Sequence, residues 1–285
     1  MSSTEAIVLA KAPGSRRRHP VAVWLSLALL GVAAFLVLFG NLIAPDATAQ
    51  SILDSLLPPG SPGHLLGTDE LGRDVLALTI AGAASALVGP VCVALGSMLL
   101  GILLGTASGY LRGPIDFIIG RWTDLLFSLP LLLAAIVVAG VFGAGYWMTV
   151  LLLILLFSPS DIRIVRAGVM EQAARPFVEA AQMLSLSKAR IMFTQVLPNV
   201  SSLIITNSML NVAFALVAFS SLSFLGVGVA PGTADWGRQL TDGRAIMVDN
   251  PAAVLVPALL IIGVASAANL VGDWLGQVLT RTGRS

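Results

Sequence analysis

Six apolar runs set the terms for this chain: residues 21–44, 81–110, 125–141, 147–157, 203–225 and 251–275. A helix needs about 20 mostly apolar residues to cross the hydrocarbon core of a bilayer, and its backbone polar groups must be bonded internally there. The runs therefore predict an all-α integral membrane protein with six transmembrane helices in contact with membrane lipid. The fourth run is short, and a few flanking residues are expected to join it. Composition agrees, since only 11% of the residues are charged and the mean hydropathy is +0.92, where soluble domains carry about 25% charge. The first run follows Arg16, Arg17 and Arg18, as the apolar core of a secretory signal would. It is too long for such a core, and Pro45-Asp46 is a poor cleavage site, so an uncleaved anchor is expected.

Six spans place both termini on one side, and cationic loops stay in the cytoplasm. With the N-terminus inside, the inner segments hold Lys11, Arg16, Arg17, Arg18, Arg112, Arg121, Arg163, Arg166, Arg175, Lys188, Arg190, Arg281 and Arg284. The outer segments hold Arg73, Arg238 and Arg244, so 13 of the 16 basic residues lie inside. The outer loops are acidic, with Asp46, Asp54, Asp69, Glu70, Asp74, Asp235, Asp242 and Asp249. The expected location is the inner (plasma) membrane, multi-pass, with both termini cytoplasmic.

Several chemistries have no residues to carry them. The interiors of the six runs hold no Asp, Glu, Lys, Arg or His, Asp273 standing near the end of the sixth, whereas ion-driven transporters keep ionisable groups near the midplane. No phosphate-binding G-x-x-x-x-G-K-[ST], H-E-x-x-H or nucleophile elbow occurs. Cys92 lies alone in an apolar run and reads as a small buried residue, so no disulfide framework or metal cluster is expected. The two histidines, His19 and His64, flank the runs, and a net charge of +1 gives no bulk field for nucleic acid. No catalytic residue, bound cofactor or metal is expected on this chain; if it does work, the energy comes from another chain.

The longest inner stretch, residues 158–199, is patterned rather than plain. Phe177, Ala180, Ala181 and Leu184 fall at i, i+3, i+4 and i+7, one face of a short helix. Ser185-Leu186-Ser187 interrupts it. Ser187 can cap a second helix over residues 188–196, which Pro198 should end before the fifth span. An apolar stripe held outside the bilayer needs either a protein groove or the lipid surface to cover it.

This stretch resembles the EAA loop of permease subunits of binding-protein-dependent ABC importers. The family pattern is E-A-A, three residues, a glycine, then a fixed gap to L-P. Glu179-Ala180-Ala181 and Leu197-Pro198 match it, and Ser185 stands where the family has glycine. Three more segments resemble the dipeptide, oligopeptide and nickel branch, in the expected order: LGTDELGRDVL (residues 66–76), FLGVGVAPGTADWGRQLTDGR (224–244) and NLVGDWLGQVLTRTGR (269–284). The long first outer loop resembles the C-type permease, which pairs with a B-type partner. The resemblance implies an importer permease fold in which residues 1–80 form the N-terminus, first span and outer loop. Residues 81–285 would form a core of five spans with the coupling loop at 158–199. It further implies a second homologous permease, cytoplasmic ATPase subunits carrying ATP and Mg, an extracytoplasmic solute-binding protein and a peptide cargo. ATPase coupling would fall to Phe177, Glu179, Ala180, Ala181, Leu184, Ser185, Leu197 and Pro198. The alternative class is an ion-coupled transporter or channel subunit.

Other features carry two readings each. Thr68 can N-cap a helix in which Asp69 and Arg73 pair at i, i+4; that helix either props the second span or contacts the binding protein. Trp236, in a Pro/Gly/Asp-rich outer loop, reads as an exposed interface anchor or as part of a docking or gating loop. Asn207 and Asn211 share one face of the fifth span and either bond a neighbouring helix or line the translocation path. Gly101, Gly105 and Gly109, with Gly96 before them, form a small-residue face suited to close helix contact.

Overall fold

The computed structural model describes residues 20–143 and 145–282; Lys11, Arg16, Arg17, Arg18, His19 and Arg284 lie outside them. The elements are α1 (Pro20–Ile43), α2 (Val75–Leu100), α3 (Thr106–Leu111), α4 (Gly113–Phe127), α5 (Leu131–Phe142), α6 (Tyr146–Ala173), α7 (Pro176–Met183), α8 (Lys188–Arg190), α9 (Leu197–Phe224), α10 (Trp236–Gly243) and α11 (Ala252–Thr282). Among the described residues there is no strand, only two isolated bridges, Ser61 with His64 and Thr68 with Asp74. Five helices are long and apolar enough to cross a membrane, and α4 with α5 makes a sixth span if that bent pair counts as one. The boundary expected at residue 80 falls inside α2, and α1 packs along α2 and α11 through Ala33 and Gly40.

Three expectations change. The third run is broken, because α4 and α5 meet at 88°. Pro130 has no N–H to give and disfavours a helical Leu129, so the helix ends before it. The fourth span does not stop near Phe157 but continues to Ala173, taking Asp161, Arg163 and Arg166 into the helix. Pro159 deprives the Leu155 carbonyl of its usual donor, and the Ser158 hydroxyl supplies one instead at 2.8 Å. Pro198 does not end a helix either. A π turn, Ile191–Val196, joins α8 to α9, and Lys188–Phe224 runs as one helix. In that turn the Leu197 N–H bonds the Met192 carbonyl, five residues back, which accommodates a proline at the next position.

The glycine face works as expected. A second π turn, Gly101–Gly105, joins α2 to α3, and this composite helix lies against α6. A Cβ on Gly105 would stand 2.8 Å from the Ile162 carbonyl oxygen, and one on Gly109 2.8 Å from that of Arg166. Small residues here let two backbones meet. The bundle interior is apolar in three zones: Ala83, Leu216 and Val264 beside α10; Val93, Leu153 and Phe219 in the middle, with Cys92 half-buried against them; and Val165, Val169 and Val200 towards α7.

Candidate functional site

The loop between α6 and α9 is built from two caps. Pro176 opens α7 at its first turn, where a missing N–H costs nothing. At the other end the Leu186 N–H bonds the Ala181 carbonyl at 3.3 Å, and the Ser185 N–H bonds that of Gln182 at 2.9 Å. These are the two bonds of a Schellman motif, with Ser185 in its left-handed position at φ +56°. The Ser185 hydroxyl makes no hydrogen bond among the described residues. Ser187 then caps α8, accepting from the Arg190 N–H, as its sequence position suggests.

The stripe read on α7 divides between two surroundings. Ala181 faces its own chain, packed with Val178 against Ile191, Val196 and Val169, so it is part of the loop's internal core and not of the presented face. Phe177, Glu179, Ala180 and Leu184 face outward, and Met183, which the periodicity missed, is the most exposed of the large apolar residues there at 84%. The i, i+3, i+4, i+7 template spans a wide arc, and the chain covers one edge of it. Leu197 is half-buried against the same core, and Pro198 is exposed at the start of α9.

Deeper in the bundle, Asn207 and Asn211 bond a neighbouring helix. Both side-chain amides donate to Asp161 Oδ1 of α6, each at 2.6 Å. Asp161 is fully buried, and a Cβ on Gly101 would come within 2.6 Å of its own Cβ. The expectation that no span interior holds an ionisable residue is therefore wrong at Asp161. The fourth run was read as ending before it.

Towards the opposite end, the other three candidates are buried in the molecule. Thr68 caps no helix; Asp74 caps α2, accepting from the Ala77 N–H at 2.7 Å. Residues 66–74 instead form a turn closed by Asp69, whose carboxylate accepts from the Leu71 and Arg73 N–H groups and from Arg73 Nε at 2.6 Å. Arg73 also donates to Asp242 of α10. Trp236 is not an exposed anchor. Its indole N–H donates to the Thr79 carbonyl at 2.8 Å and its ring is wholly enclosed. Asp235 caps α10 and takes the Ser85 hydroxyl at 3.0 Å; burial pushes its carboxyl up, against these bonds. Asp69 and Arg73 thus fasten the turn before α2 to α10, and Trp236 ties α10 to α2.

Ion pairs hold α4 on α6. Arg166 grips both oxygens of Asp116 at 2.6 and 2.7 Å, and Arg163 meets Asp124 at 2.6 Å. A polar cavity of about 300 Å³ lies between them. A second, of about 600 Å³, opens near the α7 end between α6, α9 and α11, beside Glu171, Asn199 and Thr206.

Comparison with known proteins gives a consistent match. The family described as "Binding-protein-dependent transport system inner membrane component" matches residues 97–283. The chain is similar to a dipeptide transport system permease protein of Haemophilus influenzae, 33% identical over 254 residues, covering 87% of this chain and 86% of that one. It is also similar to a di/tripeptide transport system permease protein of Pseudomonas aeruginosa, 35% identical over 252 residues, covering 86% of this chain and 83% of that one. An oligopeptide transport system permease protein of Mycobacterium tuberculosis is 35% identical over 265 residues, covering 90% and 91%.

Proposed function

This chain belongs to the family of inner-membrane components of binding-protein-dependent transport systems and is a permease subunit of a peptide ABC importer; from that premise we propose that α7 is its coupling helix, docked in a groove on a cytoplasmic ATPase. The observation that carries this is the face of Phe177, Ala180, Met183 and Leu184, held outside the membrane-length helices at the joint between α6 and α9. An exposed apolar face on a rigidly capped helix suits a protein groove. In this reading a second homologous permease completes the translocation path, and an extracytoplasmic binding protein delivers the peptide. ATP and Mg act on the partner subunits; this chain binds no cofactor and performs no catalysis. The α7 end is cytoplasmic, as the basic residues favour, and both termini lie on that side. Closure of the ATPases draws the coupling helices together and turns the bundle from inward-open to outward-open.

The test is reconstitution of the chain with its partner permease, ATPases and binding protein in vesicles. Peptide uptake that requires ATP, and that is lost when Phe177 and Leu184 are both changed to Asp, is the expected result. Uptake by the purified chain alone under a proton gradient would overturn it in favour of an ion-coupled transporter.

A further inference from the structure

The two helices that leave α7 meet again in the bundle at one polar point. From α7 inward, α6 and α9 touch through Val165, Val169, Val200 and Ile204, and Gly168 packs on Val200 and Leu203. Such apolar contacts have no fixed partners, so packed helices can slide along them. At Asp161 this changes. The Asn207 and Asn211 amides, one helical turn apart, both bond the same carboxylate oxygen. Gly101 brings the α2 backbone against Asp161, while the Ser97 hydroxyl of α2 donates within its own helix to the Ala94 carbonyl. The cluster therefore ties α2, α6 and α9 together in the interior of the membrane-length helices. Breaking it would strand a buried carboxylate away from water, which is costly in a bilayer.

The helix that carries the amides starts at the coupling loop. Asn207 stands about 30 Å along the continuous helix from Lys188. The π turn Ile191–Val196 interrupts that helix between the loop and the cluster, and the π turn Gly101–Gly105 begins where α2 meets Asp161. A π turn holds one residue more than an α turn, so its conversion shifts the helix by about 1.5 Å and rotates it by about 100°. Each of the two helices bound at Asp161 from outside α6 thus contains an element able to change its register there.

We infer that Asp161 is a positioning residue for transport: held by Asn207 and Asn211, it is the fixed point through which movement of the α7 loop, carried by α9, reaches α2 and α6. This rests on the reading of α7 as the coupling helix. The carboxylate touches neither peptide nor nucleotide in this role. It sets how far α9 turns the rest of the bundle for each ATPase cycle.

The experiment measures peptide uptake and ATP hydrolysis in the same vesicles, using the complete complex. In Asp161→Leu, uptake is expected to fall about tenfold while hydrolysis changes by less than about twofold, within the usual range of coupling free energies. The exchange Asp161→Asn with Asn211→Asp keeps one carboxylate and its amide partners but moves the charge to α9, and it should restore uptake to within about threefold of the wild type. If Asp161→Leu fails to assemble, Asn207→Leu, which leaves the second amide in place, provides the uptake-to-hydrolysis ratio. Uptake and hydrolysis falling in parallel, an unchanged ratio, or an exchange variant no better than the single one would overturn the inference. A wild-type complex without ATP-dependent uptake would instead overturn the reading of the function on which it stands.

Discussion

Arg73 reaches across 169 positions of sequence to Asp242, placing Nη2 3.2 Å from Oδ2. The same guanidinium is bonded to Asp69, four residues on its N-terminal side. One buried cation therefore fastens the turn before α2 to α10. The two partners are unequal: Arg73 is 4% exposed, while Asp242 is about a quarter exposed. Arg73→Ala would leave the Asp69 carboxylate buried without its cation, a loss of about 3–5 kcal/mol. Asp242→Ala leaves the Arg73–Asp69 pair intact, and a partly exposed ion pair is worth about 1 kcal/mol or less. Thermal unfolding in detergent should rank the two variants in that order. Equal losses would mean that Asp242, not the inner pair, sets the strength of the clamp.

Trp236 and Asp161 mark where sequence reasoning ran out. The bilayer imposes its length on apolar runs, so the approximate places of the spans and the small-residue face of Gly101, Gly105 and Gly109 were legible, but not the break between α4 and α5 or the length of α6. The place of the turn after α7 was legible in the Ser185-Leu186-Ser187 interruption, and the structure adds that Ser185 is its left-handed residue at φ +56°. Asp161 was hidden because Ser158-Pro159-Ser160 ended the apolar run, and its amide partners lie 46 and 50 residues away. Trp236 is enclosed through a carbonyl 157 positions off. The Asp69–Arg73 spacing was read as a helix pair, but four residues also close a turn, and only the bonds from Leu71 and Arg73 to Asp69 distinguish the two.

Orientation follows from where the cations lie. Ser187, beside α8, and Thr233, before α10, are both exposed. In a chain whose Cys92 has been changed to Ala, a cysteine at Ser187 should react with an impermeant thiol reagent only from the cytoplasmic side. One at Thr233 should react only from outside. Labelling of Ser187 from outside would reverse the proposed topology and remove α7 from reach of any cytoplasmic ATPase.

Ala180 and Ala181 are neighbours with opposite surroundings, which separates docking from folding. Ala181→Trp forces a large ring among Val178, Ile191 and Val196, and overpacking of that kind costs about 1–3 kcal/mol or more. Ala180→Trp places the same ring on the outward face, where substitutions typically change stability by less than about 0.5 kcal/mol. The first variant should unfold more easily. The second should keep the stability of the wild type yet lose the ATPase in pull-down. Wild-type ATPase recovery with Ala180→Trp would show that this face does not enter a groove.

Ser185 occupies the left-handed position of the Schellman turn with a Cβ that crowds the following carbonyl, a strain of about 1–2 kcal/mol for a residue other than glycine. Its hydroxyl has no partner among the described residues that would offset this. Ser185→Gly removes the clash and keeps both backbone bonds, to Gln182 and from Leu186 to Ala181. Glycine also gains freedom in the unfolded chain, which takes back part of the benefit. The net expectation is a loop more stable by about 0.5–1 kcal/mol, with ATP-driven uptake within about twofold of the wild type. Hydrogen exchange at the Leu186 amide, which donates the longer turn bond, reports the first quantity, and vesicle uptake the second. Slower exchange with unchanged uptake would make the serine a tolerated replacement in a turn that needs only its backbone. A fall in uptake of more than about tenfold in an assembled complex would place the hydroxyl in contact with the ATPase.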